Sequence, residues 1–299
     1  MTCWTWQGAF SETIGGASKE VTVRILVVNP FAGTEFYGRE NIARIARPDT
    51  EFDMVDISEA YPLPNNQWLY FRHMCTDGTL EKAMGAEDQG YHAVFISCNL
   101  DIGLYEARQL LDIPVTATLE SAALVAHMMG AAYSLVTVDR QNGNIQKMLL
   151  EQYGLDKHFV SQRPFGIDAS DLYVDRTAPA DIVSSVVEAA RACVEQDGAE
   201  VVIPGCTLAG SVLTHEVADI ESVIGAPVVD GMVTGFKLAE MMADLHRAGW
   251  PVVSRRGFFE KPPLSDMKAL RGFLDRPLLG GWARANTPDT RDELERDHA

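Results

Sequence analysis

The chain has 299 residues, and its 25 Lys and Arg stand against 42 Asp and Glu, a formal net charge of −17 at pH 7. That balance argues against a nucleic-acid binder and against attachment to anionic membranes, since both surfaces repel net negative charge, although a local site can still take a small anion. The length suits one large or two medium domains, and a hydrophobic fraction of 46% with 22% charged residues is that of a globular protein.

Residues 1–22 are polar and Gly/Ser-containing, with Trp4 and Trp6, and read as a loosely attached arm. The first strand, Val23–Val28, runs into Asn29-Pro30-Phe31-Ala32-Gly33, an apolar run meeting a loop, and a helix is predicted over Glu35–Ala46. Phe52–Ile57 reads as a second strand, 61–67 as a Pro/Asn-rich loop and Leu69–Gly85 as a helix. Ala93–Ser97 is a short all-apolar strand ending at Cys98, and a strand apolar on both faces belongs to a parallel sheet covered by helices. The apolar stretch Ala122–Val138 is interrupted by His127 and Gly130, so it predicts a helix end, a turn and the strand Ser134–Val138 rather than a membrane span. Strands and helices keep alternating, as in a doubly wound α/β protein. Beyond Gly249-Trp250-Pro251, Ser254–Pro263 reads as an ordered loop or edge, and Gly280–Ala299 as a polar, fraying tail.

Two segments can be superposed. Ala93–Asn99, a helix, Ile113-Pro114-Val115 and a further helix follow the same order as Val201–Thr207, a helix, Ala226-Pro227-Val228 and a further helix. From Pro114 to Met129 and from Pro227 to Met242 no gap is needed, and Pro114/Pro227, Val115/Val228, Ala126/Ala239, Met128/Met241 and Met129/Met242 are identical. We read this as an internal duplication of an α/β half, each half placing a cysteine just past the carboxyl end of a strand.

The five cysteines, at 3, 75, 98, 193 and 206, form no CxxC and no Cys/His cluster of zinc spacing. With no secretory signal pattern at the start, a reducing cytoplasm is expected. Cys3, Cys75 and Cys193 lack any symmetry and are read as packing residues. Cys98 and Cys206 are different: both sit where ligands bind in open α/β sheets, followed by Asn99 or Thr207 and then by a predicted helix start. Free N–H groups at a helix start lower a thiol pKa toward neutral, which suits proton transfer. A carbon acid held between two such halves meets one sulfur on each face; a thiolate removes the proton from one side and the opposite thiol returns one, inverting the carbon. The scheme needs no metal or organic cofactor if the carbanion is delocalised into a carbonyl and held by N–H donors.

With these residues in place, the chain resembles the Asp/Glu/hydantoin racemase superfamily, and within it the hydantoin racemases, from about residue 23 to about residue 275. Asn29-Pro30 is similar to the family's opening NP loop. Cys98-Asn99-Leu100-Asp101-Ile102-Gly103-Leu104 resembles its C-F-x-D-P-G-L, with Glu120-Ser121-Ala122 as the G-E-A counterpart. Gly205-Cys206-Thr207 resembles G-C-[AT], and Pro227-Val228-Val229-Asp230-Gly231 through Lys237-Leu238-Ala239-Glu240 resembles P-V-I-D-G…K-L-A-E. The resemblance implies two pseudo-symmetric doubly wound lobes with parallel sheets, the second inserted in the first, and the active site in the cleft between them. It divides the chain into 23–130 plus 229–275 for the first lobe and 131–228 for the second, leaving 1–22 and 276–299 as peripheral arms. It also implies two-cysteine inversion without cofactor, and a homo-oligomer. Asn99 and Ile102 depart from the family's Phe and Pro. Amino-acid racemases of the superfamily share Cys-Asn but carry an acidic residue at the first strand end and a His after the second cysteine's Thr, where this chain has Asn29 and Leu208.

The expected activity is therefore racemisation of a 5-substituted hydantoin or a related cyclic ureide such as allantoin. The alternatives are an amino-acid or dicarboxylate racemase or isomerase, a malonate-type decarboxylase, or a two-lobed binding protein without catalysis. Cys98 and Cys206 are the candidate acid/base pair, and Asn29, Phe31, Asn99, Thr137 and Thr207 the candidate substrate-binding residues. Asn29 is weighed against an Asx turn before Pro30, Phe31 and Phe36 against core packing, and Thr137 against a solvated strand end. Glu120 is read as a helix cap or lobe link and Asp230 as the cap of the returning helix. The seven histidines show no ligand spacing, and Gly205 and Gly210 do not make a dinucleotide loop.

Overall fold

The β-branched run Val23–Asn29 (β1) forms the second strand of a four-stranded parallel sheet. The structure, a computed structural model, describes residues 23–31, 35–59, 61, 67–166 and 180–286. β1 lies between Thr50–Asp56 (β2) and Ala93–Ile96 (β3), and Val115–Ala117 (β4) closes the sheet in the order β2-β1-β3-β4. All four residues of β3 are buried, as expected of a central strand covered on both faces. A second parallel sheet has the order β6-β5-β7, from Tyr133–Thr137 (β5), Phe159–Pro164 (β6) and Val201–Pro204 (β7). In each sheet the strand that precedes a candidate cysteine, β3 or β7, is hydrogen-bonded in parallel to the strand that opens the lobe.

The helices between these strands are Glu35–Ile45 (α1), Leu69–Met84 (α2), Leu104–Leu110 (α3), Thr118–Met129 (α4), Arg140–Tyr153 (α5), Ala180–Glu195 (α6), Thr207–Glu216 (α7), Ile220–Ile224 (α8) and Gly231–Arg247 (α9). The two helices that the duplication superposes, α4 and α9, pack against each other. α9 buries Met232, Phe236, Ala239 and Ala243, one helical stripe, on Ile25, Val27 and Phe95 of the first sheet. α4 turns Leu119, Ala122, Ala123 and Ala126 into a cluster shared with Tyr133, Leu135, Val201 and Ile203 of the second sheet. This cluster also holds Phe31, Cys98, Leu100 and Ile102, so the two lobes are joined by a common apolar core at the junction where both cysteine-bearing strands end. Burying that many side chains, at about 1.5–3 kcal/mol each, ties the lobes together.

Two expectations change. No helix starts directly after Cys98: α3 begins only at Leu104, because Asp101 (φ 43°) and Gly103 (φ 78°) take left-handed backbone that a helix cannot include. The tail does not fray at Gly280. After Leu264–Phe273 (α10), Gly281–Asn286 (α11) buries Trp282 in the core of the first lobe, with Ala83, Met84 and Leu111. Residues 1–22 and 287–299, read as arm and tail, and 62–66 of the predicted loop lie outside the described residues. Among the described residues no helix is long and apolar enough to cross a membrane.

Candidate active site

β3 ends at Ile96, and Ser97 ties its end to β1: its N–H donates to the Val28 carbonyl at 3.0 Å, and its hydroxyl donates to Asn29 Oδ1. Asn29 is thus a buried partner of the Cys98 strand end. Cys98 follows, 6% exposed. The chain then alternates: Cys98, Leu100 and Ile102 enter the shared apolar core, while Asn99 and Asp101 make polar contacts. The Leu100 N–H donates to Cys98 Sγ at 3.4 Å, and the Asp101 N–H closes the turn on the Cys98 carbonyl at 2.9 Å.

The second cysteine has a different setting. β7 ends at Pro204, the Gly205 N–H donates to the Val136 carbonyl at 2.7 Å, and half-buried Cys206 is the N-cap of α7. The N–H groups of Leu208 and Ala209 face its sulfur and favour the thiolate, but burial outweighs them and holds the Cys206 thiol above its ordinary value. The expectation of a thiol brought down toward neutral by a helix start is therefore corrected for Cys206: the donors are there, but desolvation of the sulfur is the larger effect. At Cys98 there is no helix start to act. The amides expected to hold a carbanion are, in both settings, directed at sulfur.

One bond brings the two strand ends face to face. Asn99 Nδ2, one residue past Cys98, donates to the carbonyl of Pro204, two residues before Cys206, at 3.0 Å. Asn99 is 3% exposed, and its Oδ1 has no protein partner although it is buried. Asn29, Ser97 and Thr207, with Leu208 and Met232, line a cavity of about 10 Å³, room for about one water. Phe31 packs in the same cluster as Cys98. Thr137 lies at the same sheet edge, since its neighbour Val136 pairs with Pro204, but its fully buried hydroxyl donates to the Asp139 carbonyl at 3.0 Å. Asn29, Phe31, Asn99 and Thr207 are thus gathered around the junction, and Thr137 stands behind it. The Phe36 side chain lies outside the described residues.

Glu120 does not cap α4. It pairs with Arg108, Nη1 to Oε1 at 2.8 Å, within the first lobe. The cap comes from Asp101, whose carboxylate accepts the N–H groups of Leu119 at 2.8 Å and Glu120 at 2.9 Å. Asp230 caps α9 as expected, accepting from Met232 N–H at 2.8 Å, and also takes a bond from Asn41 on α1 at 3.3 Å. Cys75 and Cys193 are buried thiols pushed up to about 11 by desolvation, in keeping with packing roles. Two residues at the site had escaped the sequence reading. Asp101 carried no assigned role, and fully buried Gln146 on α5 donates through Nε2 to the Gly205 carbonyl, directly before Cys206. The available signal for Gln146 was a polar residue in the helical stripe Asn142, Ile145, Leu149, where an exposed face has no place. Among the described residues no group of His, Cys, Asp and Glu is disposed to hold a metal ion.

Two parallel-sheet lobes that share a core, with a cysteine past one strand end of each, define a two-lobed doubly wound α/β protein whose cysteine-bearing strand ends meet where the lobes join. Residues 25–239 match the Asp/Glu/Hydantoin racemase family, and the chain belongs to it. It is 34% identical over 230 residues to the hydantoin racemase of Pseudomonas sp. (strain NS671), covering 75% of this chain and 87% of that protein. Its structure is similar to the allantoin racemase from Pseudomonas fluorescens, with TM-score 0.69, 27% identity, and coverage of 80% of this chain and 97% of that one. The allantoin racemase from Klebsiella pneumoniae shares the fold with TM-score 0.70 at 24% identity, over 81% of this chain and 94% of that one. The chain is an isomerase of the racemase type.

Proposed function

We propose that the protein racemises 5-substituted hydantoins or a related cyclic ureide such as allantoin, with Cys98 and Cys206 as the two acid/base groups and without cofactor. The observation that carries this reading is the Asn99–Pro204 bond, which sets the Cys98 loop against the end of the Cys206 strand across the lobe junction. A substrate bound there has a sulfur from each lobe. One, as thiolate, takes the α-proton, and the pair of electrons passes into the adjacent ring carbonyl. The opposite thiol then protonates the other face, and the two sulfurs exchange protonation states with each inversion. The Leu208 and Ala209 N–H groups offset part of the cost of a buried Cys206 thiolate. Asn99 Oδ1, buried and unpartnered, offers an acceptor to a ring N–H.

The substrate class follows from activation. A free α-amino acid has a weakly acidic α-proton and needs charged help; the places where amino-acid racemases supply it hold Asn29, bound to Ser97, and Leu208, buried in the second-lobe core. A hydantoin ring carbon is activated by its own carbonyl. Such a reaction suits an intracellular enzyme, which acts on a small molecule and needs neither nucleic acid nor membrane.

The test is incubation in D₂O with enantiopure hydantoins, allantoin, aspartate and glutamate, following optical rotation and loss of the α-proton signal, before and after exhaustive chelation. Turnover of cyclic ureides that survives chelation is expected. Fast racemisation of free glutamate, or activity lost to chelator and restored by a divalent metal, would overturn the reading.

A further inference from the structure

Asp101 is a buried carboxylate that the proton transfers above do not use. It is 2% exposed, three residues past Cys98, in a left-handed backbone conformation (φ 43°) that a residue other than glycine adopts only when its surroundings hold it there. Three donors do so. The Leu119 and Glu120 N–H groups, at 2.8 and 2.9 Å, come from the first turn of α4, and the Tyr153 hydroxyl, at 3.0 Å, comes from the last residue of α5 in the second lobe. The loop's own backbone closes on both sides of it, Asp101 N–H to the Cys98 carbonyl at 2.9 Å and Leu104 N–H to the Asp101 carbonyl at 3.2 Å. The tyrosine is braced in turn: its ring lies 5.6 Å from that of Tyr105, which meets Phe258 and Phe259 edge-on.

We infer that Asp101 is the positioning residue of the Cys98 side: its carboxylate bolts the cysteine loop to α4 and, through the Tyr153 hydroxyl, to the second lobe, and so sets where the Cys98 sulfur stands relative to Cys206. The inference rests on the two-thiol reading. The geometry supports it because the peptide turn from Cys98 to Asp101 is a single closed loop, so that a shift of the carboxylate moves the sulfur with it. Asn99 holds the same loop to the end of β7 from its other side. The Cys98 loop is thereby held to the second lobe at two points, whereas Cys206 starts α7 directly, with Gln146 of its own lobe on the carbonyl before it. Burial pushes the Asp101 carboxyl up to about 7 against the pull of the two α4 N–H groups.

Tyr153→Phe removes one hydroxyl and touches neither cysteine; Asp101→Asn and Asp101→Ala remove progressively more of the bolt. A merely structural role predicts less folded protein with unchanged chemistry per folded molecule. Positioning predicts a change in the chemistry itself. In D₂O, each variant is followed for inversion and for α-deuterium incorporation with retention, together with KM and the thermal midpoint. For Tyr153→Phe the expected result is racemisation slowed about tenfold, with KM within about twofold and a raised ratio of exchange to inversion, because the displaced sulfur returns its proton inefficiently. Asp101→Ala should be worse, and Asp101→Asn, which keeps one acceptor oxygen, intermediate. Wild-type inversion and a wild-type exchange ratio in Tyr153→Phe and Asp101→Asn would overturn the inference, as would losses that track the folded fraction alone. Cys98→Ser separates the two levels. If it racemises normally the two-thiol reading itself fails; if it is inactive while Tyr153→Phe and Asp101→Asn are both normal, only the role of Asp101 fails.

Discussion

The two strand ends that carry Cys98 and Cys206 begin from one plan and finish differently. Both follow a short, fully buried strand. After Cys206 the chain passes straight into α7, so its sulfur receives donors from the helix that it starts. After Cys98 it makes a turn through Asp101 and Gly103 before α3 begins, so the Leu100 N–H of that turn, at 3.4 Å, stands at its sulfur where a helix start would otherwise be, and contacts to other elements hold the turn. A duplicated strand–Cys unit therefore does not imply a duplicated setting: Cys206 starts the helix whose N–H groups face its sulfur, with Gln146 holding the strand end before it, while the Cys98 turn is held by contacts from α4 and from the second lobe.

The strongest way to break this comparison is to remove each sulfur in turn. Serine keeps the size but has a pKa far beyond neutral, so Cys98→Ser and Cys206→Ser should each lower racemisation by about a thousandfold. Each should still exchange deuterium into one enantiomer with retention, and the two variants should prefer opposite enantiomers. The same preference in both, measured by α-proton loss from each enantiomer in D₂O, would show that the cysteines do not face each other.

Glycines next to the two sites should respond unequally. A Cβ at Gly205 would stand 2.6 Å from Gln146 Oε1 and 3.1 Å from the Val136 carbonyl, so Gly205→Ala pushes back the Gln146 amide that holds the Gly205 carbonyl and loosens the Cys206 strand end. A loss of about a hundredfold in kcat is expected for that misplacement. At Gly103, φ 78°, the nearest atoms to a Cβ lie at an ordinary 3.6 Å. Gly103→Ala should cost about 1 kcal/mol of backbone strain, read as a thermal midpoint lower by about 2–4 °C, with racemisation much less affected than in Gly205→Ala.

Asn99→Ala tests the bridge between the two settings. It removes the 3.0 Å bond to the Pro204 carbonyl and the free buried acceptor together. KM for a substrate with ring N–H groups should rise about tenfold, as for the loss of one buried hydrogen bond. Equal KM values for variant and wild type would take Asn99 out of the binding set.

The smallest expected effect is the pH dependence of a single side. In Cys98→Ser only the Cys206 thiolate can abstract a proton, and burial holds that thiol above its ordinary value. The protonated thiol is inactive as a base, so exchange, corrected for the spontaneous rate, should keep rising with pH through about 9 rather than level off near neutrality. A plateau at neutral pH would mean that the α7 N–H groups outweigh desolvation.

Much of this was legible in the residues. Val23–Asn29, Ala93–Ile96 and Val201–Pro204 are apolar runs too short for anything but strands of a covered parallel sheet, and the strand–Cys–Pro-Val–helix order exposed the two halves. Asp230 as a cap also followed from local pattern, since a cap's partner lies two residues away. Asp101 had no such signal: it caps α4 from 18 residues upstream and meets Tyr153 at a separation of 52.

The chain's local periodicities thus determined by themselves that this is a doubly wound α/β protein with a cysteine past one strand in each half, because burial on both faces and a strand's end are properties of neighbouring residues. Only the tertiary structure decided which side chains hold those cysteines and that the Cys206 thiol keeps its proton more strongly than a free thiol. Asn99 on Pro204, Gln146 on Gly205 and Tyr153 on Asp101 join residues 52 to 105 positions apart. The cost of charging a sulfur depends on everything packed around it, a sum over space that no stretch of sequence contains.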